Sequence, residues 1–354
     1  MNKLRYEKQT RLKGFGLRAQ ELLHNSKVLI VGAGGLGTPC AQYLNGVGVG
    51  TIGLVDEDII SLSNLPRQTL FDEAAIGLFK IDILSQKLAW QNPATNFICY
   101  KKFLTPDNAL AIIQEFDVIV DASDNFGTRY LINDSCVLLN KPFIYGAVHE
   151  FEGHVSVLNY KGGPTYRCLF PESDFANDTI LNCDENGVLG VLPALVGTYQ
   201  AIEVIKIITN IGSPLSGQLL IIDTLSQSHF KMAVSANPEN KKITQLKDFY
   251  LTPSCSNEVE LIDANSLIDW IKTENNLQLI DVRTPNEFAN GQWPLSKNIP
   301  LADLQFRLSE IDSLLPVVII CQTGVRSSQA AILLKKENSL QKVFSLQGGL
   351  SSLL

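Results

Sequence analysis

The sequence has no surplus of positive charge, no unbroken apolar run that fits a bilayer and no dense set of cysteines. Lysine and arginine number 29 against 36 aspartates and glutamates, a net charge of −7 over 354 residues. A nucleic-acid or anionic-membrane binder needs a basic stripe that displaces phosphate counterions, so no nucleic acid and no membrane is expected among the partners. The apolar stretch worth testing as a membrane span, Val188–Ile202, contains Pro193 and Gln200 and falls short of the ~20 residues a span requires, so it reads as a buried helix. The opening MNKLRYEKQTRLKGFG carries charge where a signal peptide is apolar, which predicts no export. Seven scattered cysteines make no disulfide framework and suit a reducing cytoplasm. The four histidines show no metal-ligand spacing. With 45% hydrophobic and 18% charged residues, the chain has ample material for buried cores, and its length predicts two domains.

From Lys27 onward, short apolar runs alternate with helical patterns, the rhythm of βαβ units and a mostly parallel sheet. Strands are expected at Lys27–Val31, Thr51–Asp56, Asn96–Tyr100, Asp117–Asp121, Phe143–Tyr145, His154–Asn159 and Leu219–Asp223. Helices are expected at Gly35–Val47, Ala74–Trp90, Asp107–Gln114, Gly127–Leu139 and Leu189–Thr209. These form an α/β, Rossmann-like nucleotide-binding domain over residues 1–236, with a Pro-, Asp- and Asn-rich crossover loop up to Gly187. A polar, patternless stretch, 237–259, reads as a linker. A second, smaller α/β domain follows at 260–354, with helices at Ala264–Lys272, Asp303–Ile311 and Val325–Glu337 and strands at Leu277–Asp281, Val317–Ile320 and Lys342–Ser345.

Gly32-Ala33-Gly34-Gly35-Leu36-Gly37 follows the apolar run VLIV and opens a helix. Glycines here allow a tight turn and close backbone approach to phosphate, and the helix start supplies unpaired N–H groups. Asp56 ends the next strand, where a carboxylate accepts ribose hydroxyls. Taken alone, this pattern favours an NAD-linked oxidoreductase. Arg67, Lys80 and Asp124 shift the reading, because two cations and a carboxylate around a phosphate turn suit a triphosphate with Mg²⁺. Each has a plainer alternative: Arg67 and Lys80 as solvated surface charges, Asp124 as a helix N-cap.

At these residues the chain resembles the ThiF/MoeB/HesA-type adenylyltransferases of the ubiquitin-activating superfamily. The resemblance runs from Arg5-Tyr6 to about Cys255 through VGAGGLG, LVDEDIISLSNLPRQ, DASDNFGTRYLIND, YRCLFPE and NCDENGVLG. It implies an ATP site built from Gly32, Gly34, Gly35, Gly37, Asp56, Ser63, Asn64, Arg67, Lys80, Asp124 and Asn125, with Asp124 the Mg²⁺ ligand. It also implies a homodimer in which a basic residue near the N-terminus, here Lys8 of the partner subunit where Arg is usual, reaches into the site; Lys lacks the bidentate fork. The implied reaction joins the C-terminal Gly-Gly carboxylate of a ubiquitin-fold sulfur carrier to AMP. Cys183 matches a thiol of the family that traps the activated carrier; the helix start after it favours a thiolate and Asp184 and Glu185 oppose it. Most relatives hold a structural zinc on two C-x-x-C pairs. Here the first pair keeps only Cys168 behind Thr165, and the second only Cys255 before Glu258, so zinc is expected to be lost.

In the second domain Cys321 ends an apolar strand in ICQTGVRSS, with Arg326 five positions on. Backbone N–H groups and a cation in that arrangement support a reactive thiolate, for a phosphatase or a sulfurtransferase. With LIDVRTPNEFANGQWP, NIPLADL and SLQGGL the segment resembles a rhodanese, which implies a persulfide on Cys321; Asp281 and Arg283 read as a structural pair. Together the halves suggest adenylation followed by sulfur transfer to form a thiocarboxylate, in molybdopterin biosynthesis first and, as the alternative, on a thiamine-thiazole or tRNA-thiolation carrier, fed by a persulfide donor such as a cysteine desulfurase. Two other classes stay open: an NAD-linked oxidoreductase fused to a rhodanese, and a non-catalytic interaction protein.

Overall fold

A computed structural model describes residues 4–171, 187–247, 250, 260–273, 276–322, 324–337 and 341–352. The chain divides into two compact units, Met1–Thr252 and Pro253–Leu354. Cys183 and Cys255 lie outside the described residues.

The first unit carries β1 (Lys27–Val31), β2 (Thr51–Val55), β3 (Asn96–Tyr100), β4 (Val118–Asp121), β5 (Phe143–His149), β6 (Glu152–Leu158), β7 (Gln218–Asp223) and β8 (Ser228–Ala233), in the spatial order β3-β2-β1-β4-β5-β6-β7-β8. The pairs from β3 to β5 are parallel and those from β5 to β8 antiparallel. Its helices are α1 (Glu7–Thr10), α2 (Gly16–Asn25), α3 (Gly37–Val47), α4 (Lys80–Gln91), α5 (Pro106–Ile113), α6 (Phe126–Leu138), α7 (Tyr166–Leu169) and α8 (Leu192–Thr209). The two-residue period of β1 feeds both faces: Val28 and Ile30 enter the core under α3, α4 and α8, while Leu29 and Val31 enter the one under α5 and α6. Each such side chain contributes about 1.5–3 kcal/mol by leaving water. Among the described residues α8 is the one helix apolar and long enough for a bilayer by length and composition; here it packs on α3, β5 and β6.

The second unit is a five-stranded parallel sheet, with β9 (Glu260–Ile262), β10 (Gln278–Asp281), β11 (Ser296–Asn298), β12 (Val317–Ile320) and β13 (Val343–Leu346) ordered β11-β10-β12-β13-β9. Its helices are α9 (Ala264–Thr273), α10 (Pro285–Ala289) and α11 (Val325–Glu337).

Four sequence expectations are corrected. The helix expected at Ala74–Trp90 is a 3₁₀ turn, Glu73–Ala75, followed by α4 from Lys80; Gly77 at φ +86° and a bridge between Ile59 and Phe79 break it. The helix expected at Asp303–Ile311 is two 3₁₀ turns, Leu304–Phe306 and Leu308–Glu310, because Arg307 leaves helical geometry at φ −119°. β5 runs on to His149 and turns into β6 through Glu150 at φ +49°. The stretch read as linker lies against the first unit where it is described: Asn237 and Asn240 bond Cys168, and the Tyr250 hydroxyl donates to Asp134 at 2.8 Å. Polar contacts of this kind leave no apolar period to read.

A Cβ on Gly37 falls 1.8 Å from the Gly32 carbonyl oxygen, whereas one on Gly46 in the same helix meets nothing within 4 Å. Gly37→Ala is therefore expected to cost at least about 3 kcal/mol in urea unfolding of the first unit, while Gly46→Ala stabilises it by about 0.5–1 kcal/mol.

Candidate functional site

β1 and β4 are neighbours in the sheet although β2 and β3 come between them in sequence, so the chain leaves β1 in one direction and β4 in the other. This is the switch point at which open α/β sheets bind ligands. A cavity of about 570 Å³ opens there, lined by Gly32, Gly34, Gly35, Asp56, Ser63, Asn64, Arg67, Lys80, Asp124 and Asn125. Those predicted residues are thus brought to one place. Gly37 is instead buried in the first turn of α3, where it lets the turn fold onto Gly32. Lys8, on α1, is not among the described lining residues.

The turn is tight because Gly32 sits at φ +100°, and a Cβ there would meet the Ala122 carbonyl oxygen at 2.5 Å. Asp56 is committed to the backbone: it accepts the Ala33 N–H at 2.6 Å and the Asp58 N–H at 2.7 Å. Burial raises its pKa, opposed by those N–H groups and by Lys80. Lys80 is buried and donates to the exposed Asp58 carboxylate, at Oδ2, at 2.7 Å. Arg67 donates to the Ser63 carbonyl at 2.9 Å, and Asn64 accepts the Ser61 N–H at 3.1 Å. Asn125, rather than Asp124, caps α6 by accepting the Thr128 N–H at 2.9 Å. Asp124 is left as an exposed carboxylate on the cavity wall. Its hard oxygen donors suit Mg²⁺ held beside phosphates.

Sequence reasoning missed Asp58, Gln68 and Lys102 as lining residues. Asp58 lies two positions past the carboxylate that was noticed, and its contact with Lys80 spans a break in pattern. Beneath the cavity floor, Asp121 is fully buried; its Oδ1 accepts the Ser123 N–H at 3.1 Å and hydroxyl at 2.6 Å. Its Oδ2 accepts no hydrogen bond among the described residues. Burial pushes Asp121 up to about 6, with Arg129 opposing.

Of the expected zinc remnant only Cys168 and Thr165 are described, and among the described residues no group of three or more His, Cys, Asp or Glu is placed to hold a metal ion. Cys168 Sγ takes hydrogen bonds from the Thr165 N–H at 3.4 Å, the Asn237 N–H at 3.3 Å and Asn240 Nδ2 at 3.4 Å, with the Thr165 hydroxyl at 3.3 Å. Burial raises this thiol's pKa, but the hydrogen bonds outweigh it and leave it below the ordinary value. A cavity of about 330 Å³ lined by Arg167, Cys168, Pro171, Ser235, Asn237 and Asn240 opens beside it.

In the second unit Cys321 follows β12 and is fully buried. The Ser327 N–H points at its sulfur from 3.3 Å. The loop turns at Gly324, φ +88°, and Leu350 N–H binds the Cys321 carbonyl at 2.8 Å. Arg326 forks onto Glu287 at 2.7 and 2.6 Å, and this pairing holds the Glu287 carboxyl down at about 2. Arg283 clasps Asp281 at 2.8 Å, both buried.

A glycine turn facing cations and an exposed carboxylate at a sheet switch point, with a second unit presenting a cysteine in a strand-to-helix loop, defines a nucleotide-binding fold joined to a thiol-bearing α/β module. Residues 6–244 match the ThiF family and residues 263–354 the rhodanese-like domain. The chain belongs to the ThiF family and carries a C-terminal rhodanese-like domain. It is 37% identical to the adenylyltransferase and sulfurtransferase MOCS3 of Culex quinquefasciatus, over 98% of this chain and 86% of that one. It is 40% identical to the probable molybdopterin-synthase adenylyltransferase of Porphyra purpurea, over 98% and 92%. The crystal structure of E. coli MccB with AMPCPP and MccA shares the fold, with a TM-score of 0.59 at 23% identity over 67% of this chain and 73% of that one.

Asp121 sets a pH dependence. Because its pKa is raised in the folded state, the stability it contributes is fully present below the ordinary value of 3.8 and is lost as pH rises through about 6. Asp121→Asn is expected to gain on the order of 2–3 kcal/mol over the native chain at about pH 8, with the gain shrinking toward about pH 5, as measured by urea unfolding.

Proposed function

We propose that this chain adenylates the C-terminal Gly-Gly carboxylate of a ubiquitin-fold sulfur carrier with ATP, then converts it to a thiocarboxylate with sulfur carried on Cys321. The reading rests above all on one observation: Arg67, Lys80 and Asp124 converge with the glycine turn in a single cavity. An NAD-linked oxidoreductase leaves that charge unexplained. The names of the relatives point to molybdopterin biosynthesis as the pathway, and a thiamine-thiazole or tRNA-thiolation carrier requires the same chemistry.

In the first step a carboxylate oxygen of the carrier attacks the α-phosphorus of ATP. The bond to the bridging oxygen breaks, and pyrophosphate leaves with the electron pair. Two anions must meet, so the protein's task is neutralisation and alignment. Lys80 exchanges Asp58 for phosphate oxygens, and Arg67 turns its guanidinium from a local carbonyl to the triphosphate. Gly34 and Gly35 let the backbone approach the phosphates. Asp124 would hold Mg²⁺, which would supply further charge neutralisation. In a homodimer, Lys8 of the partner subunit adds a point charge where an arginine is usual.

In the second step the terminal sulfur of a Cys321 persulfide attacks the acyl carbon and AMP leaves, giving an acyl disulfide. A second thiol, Cys183 in this reading, then attacks the Cys321 sulfur. The thiocarboxylate departs, a Cys183–Cys321 disulfide remains, and a thiol reductant restores both. A donor such as a cysteine desulfurase persulfide recharges Cys321, in a cytoplasmic setting where free thiols persist. No step uses zinc.

ATP–pyrophosphate exchange tests the first step. Exchange is expected to be stimulated by one ubiquitin-fold protein ending Gly-Gly and to fall by about 10²-fold or more in Asp124→Ala or Arg67→Ala. Full exchange in both variants, or none with any such carrier, contradicts the proposal.

A further inference from the structure

Three serine hydroxyls lie in a row behind Cys321. Ser327 and Ser345 are fully buried, and Ser328 is half-buried beside them. The Cys321 thiol donates to Ser327 Oγ at 3.5 Å. Ser345, from β13, donates to the same Ser327 oxygen at 2.8 Å. Ser327 spends its single hydrogen on the Gly324 carbonyl at 2.9 Å. Ser328 reaches that same carbonyl at 2.9 Å and lies 3.1 Å from Ser345 Oγ.

Counting hydrogens shows what this arrangement allows. While Cys321 carries its proton, the sulfur is the donor and Ser327 the acceptor. Once that proton has gone to solvent, the sulfur can only accept, and among the described residues Ser327 is the hydroxyl in reach. Rotating its hydrogen from Gly324 to the sulfur leaves that carbonyl partnered, because Ser328 donates both its N–H, at 3.2 Å, and its hydroxyl, at 2.9 Å, to Gly324. Ser345 keeps the Ser327 oxygen supplied with a donor in both states, so the rotated hydroxyl has one favoured direction. Leaving such an acceptor unsatisfied is costly, and the other contacts on Gly324 remove that cost. Hydrogen bonds to an ionised acceptor are also the stronger kind.

We infer that Ser327, Ser328 and Ser345 form a hydroxyl switch that turns from the Gly324 carbonyl to Cys321 sulfur when that sulfur becomes anionic. Ser327 is the group that touches the reacting atom; Ser328 and Ser345 are positioning residues. The switch serves the sulfur loading of the proposed function: Cys321 thiolate attacks the outer sulfur of a donor, a new S–S bond forms, and the donor's S–S bond breaks with its electrons leaving on the donor.

The test uses the full chain with two probes: iodoacetamide, which alkylates Cys321 thiolate, and thiosulfate, which gives up its outer sulfur and leaves as sulfite. Both are read by mass spectrometry of the Cys321 peptide, with unfolding midpoints measured alongside. Ser327→Ala is expected to slow both reactions about tenfold, Ser345→Ala about threefold, and Ser328→Ala, which keeps its N–H on Gly324, less than about twofold. Ser327→Thr, which keeps the hydroxyl, recovers to within about twofold of the native rate. If Ser327→Ala does not fold, Ser345→Ala decides the matter. Native rates in Ser327→Ala or Ser345→Ala, or a Ser327→Thr as slow as Ser327→Ala, overturn the switch. If the native chain takes no sulfur from thiosulfate, the sulfur-carrier reading of Cys321 is what fails, and the ranking with iodoacetamide still decides the switch.

Discussion

The first unit depends on a backbone pressed against backbone. After β1 the chain must turn within a few residues and pass directly over the end of β4, so close that a methyl group on Gly32 would overlap the Ala122 carbonyl. The same economy recurs around the cavity: a Cβ on Gly197 would lie 2.2 Å from the Leu36 carbonyl, and one on Gly190 would lie 2.6 Å from that of Pro66. Side chains are kept out of these contacts so that α3, α8 and the two central strands meet around one space. The nucleotide cavity is what remains between them.

Charge in that space is held ready by local partners. Lys80 rests on Asp58 and Arg67 on a carbonyl, so neither cation is a buried, unpaired charge before substrate arrives. The Lys80–Asp58 pair is open on its acidic side, where solvent keeps such a bridge to about 1 kcal/mol or less, cheap to exchange for a triphosphate. Arg326 on Glu287 repeats the arrangement in the second unit, beside a thiol rather than a phosphate site. Asp121 is the costly exception, buried where burial itself opposes its charge.

The parts legible in the sequence were those written in short spacings. The VLIV-to-glycine turn, the Asp-Asn pair after β4 and the Cys-to-Arg loop each lie within a few residues, where strand, turn and helix start follow one another by local rules. What escaped depends on contacts across the chain. Strand β8 is exposed along its whole length, so no alternation marked it. Gly77 broke a helix whose apolar pattern ran straight through it. Asp58 finds Lys80 across 22 positions and Ser345 finds Ser327 across 18, and neither spacing has a period to reveal it. Thr165 and Cys168 are three positions apart and could be read together, but that Asn237 and Asn240 donate to the Cys168 sulfur could be seen only in three dimensions.

The central claim is that the two units act in order on one carboxylate, activation first and sulfur second. Mass spectrometry of a Gly-Gly-ending ubiquitin-fold carrier after incubation with the full chain, MgATP and a persulfide donor, each omitted in turn, tests that order. The account predicts a carrier thiocarboxylate only when ATP and the sulfur donor are both present, and release of pyrophosphate without the sulfur donor. Thiocarboxylate formed in the absence of ATP would contradict it.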